Sequence, residues 1–500
     1  MYRLISVLVS TLLTISSFAQ ILPAEGDTLN YRLIGFSVPV QAKTALYKLE
    51  IASGYVNNQY NFQKNIIYTA SANDNRIIAT VPEFGRSYTW RISEYSKKGK
   101  LASTTPFYHF ITGTHTNSDT RRYPMKIITP ADSSLARLLI FRDATRNLYD
   151  LSGNILWYLP EIPGIVDTAT NIRDLKTTPR GTITFLTPTA ACEIDYDGNI
   201  LWNAPDDGRV SGDTSEYYHH EFTRLPNGNY MVAGMENVFT GLSSNRKPPP
   251  VNGGIRANSD SVAPVTTKHG TLIEYDPSGK IVWSWKSSSI FSIPELFGDR
   301  VNGVTHMNAF YVNDKDSTIY ISLRDISRII KLKYPQARVV AEYGQSLNGE
   351  SRAGDGMFYG QHCCRIGSSG QLLLFNNNAR FIKGSRASRN PVASIAGFNE
   401  TDRGSLIKDW KFDCDIDSFA RSSAPTGGSI YELSDDVYLV SMGGTNRDFI
   451  VTKQGQLLWN AVFRTWGDAA WPIVNYKTSP LDANHLHMLI FNHLLAVKEN

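Results

Sequence analysis

A short pattern that returns along the chain constrains the fold more than any other feature of the sequence. In its clearest form it reads Tyr-Asp-x-Ser-Gly-x-Ile-x-Trp, so that a polar turn leads into an apolar run ending on tryptophan. Such a segment predicts a β-hairpin, because Asp and Gly readily adopt the backbone angles of tight turns. Four clear and two weaker copies occupy residues 149–157, 194–202, 275–283, 452–459, 333–341 and 404–410.

The spacing of the copies indicates how many strands separate them. Successive copies start 45 residues apart at the closest (149 to 194) and 81 at the furthest (194 to 275). This leaves room for four strands with their loops, and a strand quartet repeated six times is typical of a β-propeller. We therefore predict an all-β chain whose residues 123–500 form a six-bladed β-propeller. The first blade lacks an inner hairpin and residues 476–491 offer a spare one, so both ends of the propeller are expected to share a blade.

Residues 20–115 carry no copy of the pattern and are predicted to form a separate domain. Several short strands are crowded into fewer than a hundred residues, which is the density of a small β-sandwich. The polar segment 113–122 then reads as a linker. The composition favours an all-β protein as well, since 11% of residues are aromatic and 37 are glycine, and these types suit pleated surfaces and turns.

The first residues predict export. Residues 1–19 combine a basic start, a short apolar run and a small-residue end, which is the pattern of a cleaved signal peptide. The run is too short to span a membrane, and no later stretch approaches about 18 apolar residues. We expect a periplasmic or secreted protein without a membrane span. The formal charge of +4, without a basic run, argues against a nucleic-acid partner.

Four cysteines would enter an oxidising compartment with the exported chain. They are Cys192, Cys363, Cys364 and Cys414, and four cysteines allow three complete pairings. The neighbours Cys363 and Cys364 would form a strained ring if joined to each other. We expect one of them to pair with Cys414.

Three further hairpins each begin with a histidine. His220, His306 and His362 start short strands that reach a polar turn eight residues later. If these hairpins are equivalent units of the repeat, the three imidazoles reach equivalent depths around one centre. Arg173 occupies the same position in the preceding repeat. Because alternate residues of a strand face opposite ways, we expect His220 to face this centre, and its neighbour His219 to lie between blades.

Two kinds of chemistry fit three converging imidazoles. Three histidines with an open fourth position describe a catalytic zinc site. The residues that follow the histidines, however, supply no systematic carboxylate to orient them. Arg324 follows His306 by 18 residues, and an arginine fork suits a tetrahedral oxyanion and repels a metal dication. We therefore expect a site without metal or cofactor, in which a histidine nucleophile is assisted by cationic neighbours.

Three sequence blocks carry a resemblance to a known family. They are His-His-Glu-Phe-Thr-Arg-Leu-Pro-Asn-Gly-Asn-Tyr at residues 219–230, His-Met-Asn at 306–308 with Ser-Leu-Arg at 322–324, and Gln-His at 361–362 with Phe-Asn-Asn-Asn at 375–378. In these blocks, and over nearly all of the mature chain, the sequence resembles the bacterial arylsulfate sulfotransferases. The resemblance implies sulfuryl transfer from an aryl sulfate to an acceptor phenol, without a nucleotide donor.

The resemblance also implies roles for individual residues. His362 matches the histidine that is transiently sulfated, whereas His220, His306 and Arg324 match residues that hold the sulfuryl oxygens. As further substrate-binding candidates we take His219, Asn308 and Arg173. The implied partners are small-molecule phenols and aryl sulfates, and the sequence leaves the oligomeric state open, a homodimer included.

Two other functions stay open on the sequence alone. One is an aryl sulfatase-like or metal-dependent hydrolase, and the other is a propeller that binds a partner without catalysis. Two long polar connections, at residues 236–269 and 376–402, are candidates for lids over the site.

Overall fold

The computed structural model divides the 500-residue chain into two compact units, residues 1–113 and 114–500. The structure describes residues 21–114, 124–240, 265–291, 305–346, 351–379, 391–463, 474–481 and 483–491. The expected signal peptide and the central parts of the two long connections lie outside these residues.

Between residues 21 and 113 the first unit contains eight strands and one short helix. Its strands are β1 Asp27–Leu29, β2 Leu33–Ser37, β3 Thr44–Ser53, β4 Ile66–Ala72, β5 Arg76–Thr80, β6 Ser87–Ser96, β7 Leu101–Thr104 and β8 Tyr108–Thr112, and its helix is α1 Gln59–Lys64. Six strands form one sheet in the order β1-β8-β6-β3-β4 with β7 on β6, while β2 and β5 form a second sheet. Phe36 of the small sheet packs on Trp90 and Phe110 of the large sheet, with ring centroids 5.3 and 6.1 Å away.

The second unit is also built of strands. They are β9 Met125–Thr129, β10 Leu139–Arg142, β11 Asn147–Asp150, β12 Ile155–Tyr158, β13 Arg173–Thr177, β14 Ile183–Leu186, β15 Ala191–Ile194, β16 Ile200–Asn203, β17 Tyr218–Arg224, β18 Tyr230–Thr240, β19 Val265–Tyr275, β20 Ile281–Lys286, β21 Met307–Asn313, β22 Thr318–Leu323, β23 Arg328–Lys333, β24 Arg338–Gly344, β25 His362–Ile366, β26 Leu372–Asn376, β27 Ser394–Glu400, β28 Leu406–Asp413, β29 Ser429–Ser434, β30 Val437–Ser441, β31 Arg447–Thr452, β32 Leu457–Phe463 and β33 Thr478–Leu481. The α-helix α2 Ala483–Phe491 follows β33.

These strands form repeated four-stranded sheets in a propeller-like arrangement. Four sheets take consecutive strands, β13–β16, β17–β20, β21–β24 and β25–β28. A fifth combines β29–β32 with β9 at its outer edge, and the sixth has the order β33-β10-β11-β12. The first strand of each sheet packs on the first strand of the next, from β13 through β17, β21, β25 and β29 to β33, and β33 packs on β13. The inner strands therefore meet in a closed cycle.

Both ends of the second unit take part in this closure. The strand β33 pairs antiparallel with β10, so that Leu481 faces Leu139, while β9 pairs with β32. The expectation of a complete hairpin at residues 476–491 is wrong, because only its first half is a strand. The second half is α2, in which one alanine, two leucines and Met488 favour a helix, and Ile490 and Phe491 of this helix are buried.

The tryptophans of the repeated pattern connect neighbouring sheets. Trp157 at the end of β12 donates its indole N–H to the carbonyl of Tyr196 in the next sheet, at 2.7 Å. Trp459 of β32 makes the equivalent bond to Leu151, at 2.9 Å. Both rings are fully buried, so each contributes apolar burial as well as a satisfied polar atom. The tryptophans of these two copies are structural and lie outside the candidate site.

The expected disulfide is absent, because all four cysteines are buried free thiols. Cys363 and Cys414 belong to one apolar cluster, yet the Cys363 thiol instead donates to the carbonyl of Ile430 at 3.5 Å. Burial raises the pKa of Cys192 to about 12 and raises that of Cys414 as well. A thiol is oxidised through its thiolate, so such an environment keeps these residues unreactive.

No helix in the described ranges is long and apolar enough to cross a membrane.

Candidate active site

His220 in β17 and His306, which directly precedes β21, lie where the pairing of each hairpin is irregular. His220 has φ of 70° and His306 has φ of 50°, values that residues other than glycine seldom adopt. The pairing register shifts at the same places, between Tyr218 and Phe222 and between Met307 and Ala309. Such bulges redirect side chains. They bring the two imidazoles together, with their Nε2 atoms 3.1 Å apart.

The bulge also removes the alternation expected at residues 219 and 220. The His219 ring lies 4.7 Å from that of His220 and 6.5 Å from that of His306, measured between centroids. His219 therefore borders the same cluster, and it also lies against the space between the sheets of β13–β16 and β17–β20. Alternation along a strand holds only for regular backbone, and the left-handed conformation of His220 interrupts it.

The paired imidazoles are held in their neutral form. Burial lowers the pKa of His220 well below its usual value, and neighbouring His219, His306 and Arg173 lower it further. Burial, followed by the charge of Arg324, lowers the pKa of His306 to about 2. Desolvation and nearby cations both disfavour an imidazolium ion. The pair is thus an uncharged hydrogen-bonding unit at neutral pH.

His362, the first residue of β25, is fixed by a hydrogen bond on each nitrogen. Its Nδ1 lies 2.8 Å from Oδ1 of Asn377, and the backbone N–H of Gly427 donates to its Nε2 at 3.3 Å. The Asn377 amide donates to the carbonyls of Ala424 and Gly427, so its oxygen must face the imidazole. Nδ1 therefore carries the hydrogen and Nε2 the lone pair. Burial, then the charge of Arg324, lowers the pKa of His362 to about 3.

Tyr476 connects His362 to the other histidines. Its ring stacks on His220 at 4.9 Å and meets His362 edge-on at 5.8 Å. Its hydroxyl donates to the carbonyl of Asn308 at 3.1 Å. The three sequence-predicted histidines thus share one region, although His362 reaches the pair through this phenol. Tyr476 lies outside the repeated sequence patterns, because β33, which follows it, is far in the sequence from the other strands of its sheet.

Arg324 directly follows β22 and is anchored at both ends. Its backbone N–H donates to the carbonyl of His306 at 3.0 Å, and its guanidinium donates to the carbonyl of Pro425 at 3.4 Å. Asp325 lies 3.5 Å from Nη1 of Arg324 and 3.9 Å from Nδ1 of His306. The Arg324 side chain is 13% exposed. This arginine is therefore a largely buried positive charge that acts on both His306 and His362.

The three predicted substrate-binding residues occupy different places. Arg173, at the start of β13, has its Nη1 3.3 Å from Nδ1 of His220 and its guanidinium 5.2 Å from the ring of Tyr476. His219 borders the cluster as described. Asn308 is fully buried and donates to the carbonyl of Gln361 at 2.7 Å. Asn308 thus supports the segment that leads into β25.

Beneath His220 lies a group of buried charges. Lys477 donates to the carbonyl of His220 at 2.9 Å, to Asp174 at 3.1 Å and to Glu221. Lys176 bonds the same two carboxylates, each at 2.7 Å. These carboxylates raise the pKa of Lys477 despite its burial, and buried charges persist only when they are paired in this way. The group fixes the backbone of β17 at the residue whose imidazole enters the site.

Asp143 holds the segment that carries Tyr476 and Lys477. Its carboxylate accepts the backbone N–H groups of these two residues at 2.9 and 2.8 Å. Burial raises the pKa of Asp143 to about 7, although these two hydrogen bonds oppose the rise. Asp143 lies just after β10, so it joins the segment that leads into β33 to the first part of the second unit.

The charges favour an anionic ligand. Arg173 and Arg324 both face the histidine cluster, and within the described ranges no group of three or more His, Cys, Asp or Glu side chains is arranged to hold a metal ion. Oriented N–H donors and guanidinium groups in a water-poor setting stabilise the charge of an oxyanion. Together with a neutral imidazole whose Nε2 carries a lone pair, weakly hydrogen-bonded to the Gly427 N–H at 3.3 Å, this arrangement can transfer an anionic group.

Comparison with known proteins identifies the family. The sequence model of the arylsulfotransferase (ASST) family matches residues 131–396, which is more than half of the chain. The protein therefore belongs to the arylsulfotransferase family, whose activity is the transfer of sulfuryl groups to small molecules. The match encloses His220, His306, Arg324 and His362, whereas Tyr476 lies beyond it. No protein of curated function matches the sequence.

Solved structures show more distant similarities. A Bacteroides caccae protein of unknown function is 13% identical, with 69% of this chain and 98% of that chain covered and a TM-score of 0.41. A periplasmic gluconolactonase from Pseudomonas aeruginosa is 9% identical, with 88% and 99% covered and a TM-score of 0.33. An auxiliary nutrient binding protein from Bacteroides thetaiotaomicron is 10% identical, with 89% and 84% covered and a TM-score of 0.32.

Proposed function

We propose that the protein moves a sulfuryl group from a phenolic sulfate ester to an acceptor phenol by a ping-pong mechanism, with a sulfohistidine at His362 as the intermediate. The observation that carries this proposal is the tautomer of His362. Asn377 accepts the hydrogen on Nδ1 at 2.8 Å, which places the lone pair on Nε2. There it accepts the Gly427 N–H at 3.3 Å, a long bond that the lone pair exchanges for one to sulfur when it attacks. The lowered pKa of His362, about 3, keeps the ring neutral and nucleophilic at neutral pH.

The first half-reaction exchanges one bond to sulfur for another. The Nε2 lone pair of His362 bonds to sulfur while the bond between sulfur and the phenolic oxygen breaks, and that electron pair leaves with the phenolate. In the second half, the acceptor oxygen bonds to sulfur and loses its proton, and the nitrogen–sulfur electron pair returns to Nε2. Over the full cycle the proton of the acceptor phenol balances the phenolate released first.

The groups around His362 suit the charge on the sulfuryl oxygens. A loose transition state resembling that of phosphoryl transfer spreads charge over these oxygens, and positioned cationic donors stabilise it. Arg324 supplies such a charge, and the Gly427 N–H lies 3.3 Å from Nε2 of His362. The Asn377 oxygen in turn stabilises the positive charge that develops on the imidazole when Nε2 is sulfated.

The paired histidines act as hydrogen-bonding groups in this scheme. A pKa of about 2 for His306 means that its imidazole is neutral in the free enzyme at neutral pH and has no imidazolium proton to give to a leaving group. The leaving phenolate therefore departs as an anion, which is feasible for a phenol with a pKa near 10. We assign His220 and His306 to positioning of the sulfuryl oxygens.

The architecture and location complete the proposal. We propose that the six sheets are the blades of one closed propeller, with the first unit as a β-sandwich, because the inner strands pack in a cycle that ends on β13. We also propose that the protein is exported, on the strength of residues 1–19.

Mass spectrometry of trapped enzyme tests the proposal. The protein is mixed with 4-nitrophenyl sulfate without an acceptor, quenched in base and digested. We expect one added SO₃ on the peptide containing His362, and its loss when phenol is added before quenching. His362→Asn should carry no label and show no transfer. A label on another residue would refute His362 as the carrier, and nitrophenol release that is independent of phenol would indicate a hydrolase.

A further inference from the structure

A cavity of about 220 Å³ lies beside the histidine cluster. It is bounded by the start of β13, the end of β14 and the irregular edge between β17 and β18. Its lining includes Arg173, Leu186, Pro188, Tyr217, His219 and Met235. Neither the transfer step nor the charge group beneath His220 gives this space a role.

Most of the wall is apolar. Leu186, Pro188, Met235 and the ring of Tyr217 line it, and such surfaces take up an aromatic ring from water. The volume agrees with a small ligand, since cavities of about 150 Å³ already accept benzene. Sites for drug-sized ligands are generally larger, about 300 Å³ or more. The space therefore suits one substituted aromatic ring.

The end next to the cluster is polar and cationic. Arg173 lines the cavity and touches His220 and Tyr476. Arg173 forms no salt bridge with a carboxylate in the described part of the chain, so its N–H groups can bind an anion. His219 also lines the cavity, and its Nδ1 is buried without a hydrogen-bond partner among the described residues. A buried polar atom without a partner is costly, and the hydroxyl of a phenol, which can donate as well as accept, would satisfy it.

We infer that this cavity is the aryl subsite, in which a single phenolic ring lies against Leu186 and Met235 with its oxygen at the end formed by Arg173 and His219, the end that adjoins His220 and Tyr476. The inference rests on the proposed function and adds the size of its substrates. One apolar space with one cationic end matches an aryl sulfate, which has an apolar ring and an anionic ester group.

A single subsite is sufficient for both substrates of a ping-pong reaction. The donor phenol leaves before the acceptor enters, and both halves of the reaction pass through the same arrangement of ring, oxygen and sulfur. Donor and acceptor should therefore obey the same size limit. One-ring phenols fit the space, whereas a second fused ring exceeds it.

Substitutions at Met235 test this inference. Met235→Trp fills the cavity and should raise KM about tenfold or more for both 4-nitrophenyl sulfate and phenol. Met235→Ala enlarges it and should raise kcat/KM for 2-naphthol relative to phenol by about tenfold, the usual range for added space in an apolar pocket. Met488 provides the matched control, because it is 41% exposed on α2. Met488→Trp and Met488→Ala should change neither quantity.

Equilibrium dialysis separates this inference from the proposed function. Binding of 4-nitrophenyl sulfate is measured without turnover in His362→Asn, alone and combined with Met235→Trp. Weaker binding in the combined variant supports the subsite, even if wild-type enzyme transfers nothing and the proposed function fails. Equal binding, or Met235 variants that treat phenol and 2-naphthol alike while wild-type enzyme still sulfates His362, overturns the subsite and leaves the proposed function standing.

Discussion

Nη1 of Arg173 lies 3.3 Å from Nδ1 of His220, and this contact sets the direction of a chain of hydrogen bonds. A guanidinium can only donate, so Nδ1 of His220 must carry the lone pair and its Nε2 the hydrogen. That hydrogen points to Nε2 of His306, 3.1 Å away. The hydrogen of His306 is then on Nδ1, on the side of Asp325. Arg173 therefore determines the tautomers of both imidazoles, although it contacts only one of them.

The lowered pKa of His362 predicts a flat pH profile for its sulfation. With a pKa of about 3, the ring is already neutral at pH 5, so raising the pH to 8 adds no nucleophile. Rapid-quench measurement of the nitrophenol burst between pH 5 and 8 should give a constant rate constant. A rate that climbs with pH and levels off near 6.5, the usual value for histidine, would show that His362 is protonated in the resting enzyme.

Replacing Arg324 by lysine should cost far more than a conservative change normally does. A lysine retains the charge but lacks the planar fork that can hold two oxygens at once. We expect Arg324→Lys to lower kcat by about 10²–10³, the loss seen when one oxyanion donor is removed. Steady-state rates with 4-nitrophenyl sulfate and phenol measure this. Near wild-type kcat would mean that the guanidinium does not reach the sulfuryl group.

The neighbours His219 and His220 should affect different kinetic constants. His220 contacts His306 and Arg173, so His220→Ala should lower kcat by about tenfold or more. His219 borders the cavity, so His219→Ala should mainly raise KM for the aryl substrates. Full kinetics of both alanine variants, after circular dichroism has confirmed their fold, distinguish the two roles. The reverse distribution would exchange the assignments of these residues.

Removing Lys477 should destabilise the second unit and not merely slow the reaction. Lys477→Met leaves Asp174 and Glu221 buried with one fewer positive partner, and breaking such a group typically costs about 3–5 kcal/mol. Urea unfolding followed by tryptophan fluorescence measures the loss. Lys411 is the control, because its pair with Asp413 is largely exposed, and Lys411→Met should change stability by less than about 0.5 kcal/mol. Equal stability of Lys477→Met and wild type would contradict this account of the buried charges.

Much of the architecture was accessible from the sequence because it repeats. The tryptophan-ended pattern predicted the third and fourth strands of the sheets, and four-stranded sheets follow along the second unit. The histidine hairpins predicted which strands carry polar groups inward. Each of these inferences used a regular period, which short-range sequence patterns record well.

The parts that escaped prediction depend on irregular backbone or distant contacts. The bulge at His220 brings His219 into the cluster, and no residue type in that stretch announces a left-handed backbone. Tyr476 and Asn377 act through contacts with residues far away in the sequence. The predicted disulfide was wrong for a similar reason, since Cys363 and Cys414 share an apolar cluster while their thiols remain free.

The late position of Tyr476 and Lys477 in the sequence determines when the site can form. Asp143 captures the backbone of Tyr476 and Lys477 across more than 300 residues of intervening sequence. Every other group of the site precedes residue 476 along the chain. A nascent chain that ends before residue 476 therefore lacks the phenol of Tyr476 between the histidines and the ammonium group of Lys477 beneath His220. The site can therefore be completed only after residue 477 has been synthesised, so its assembly is one of the last steps in the folding of the second unit.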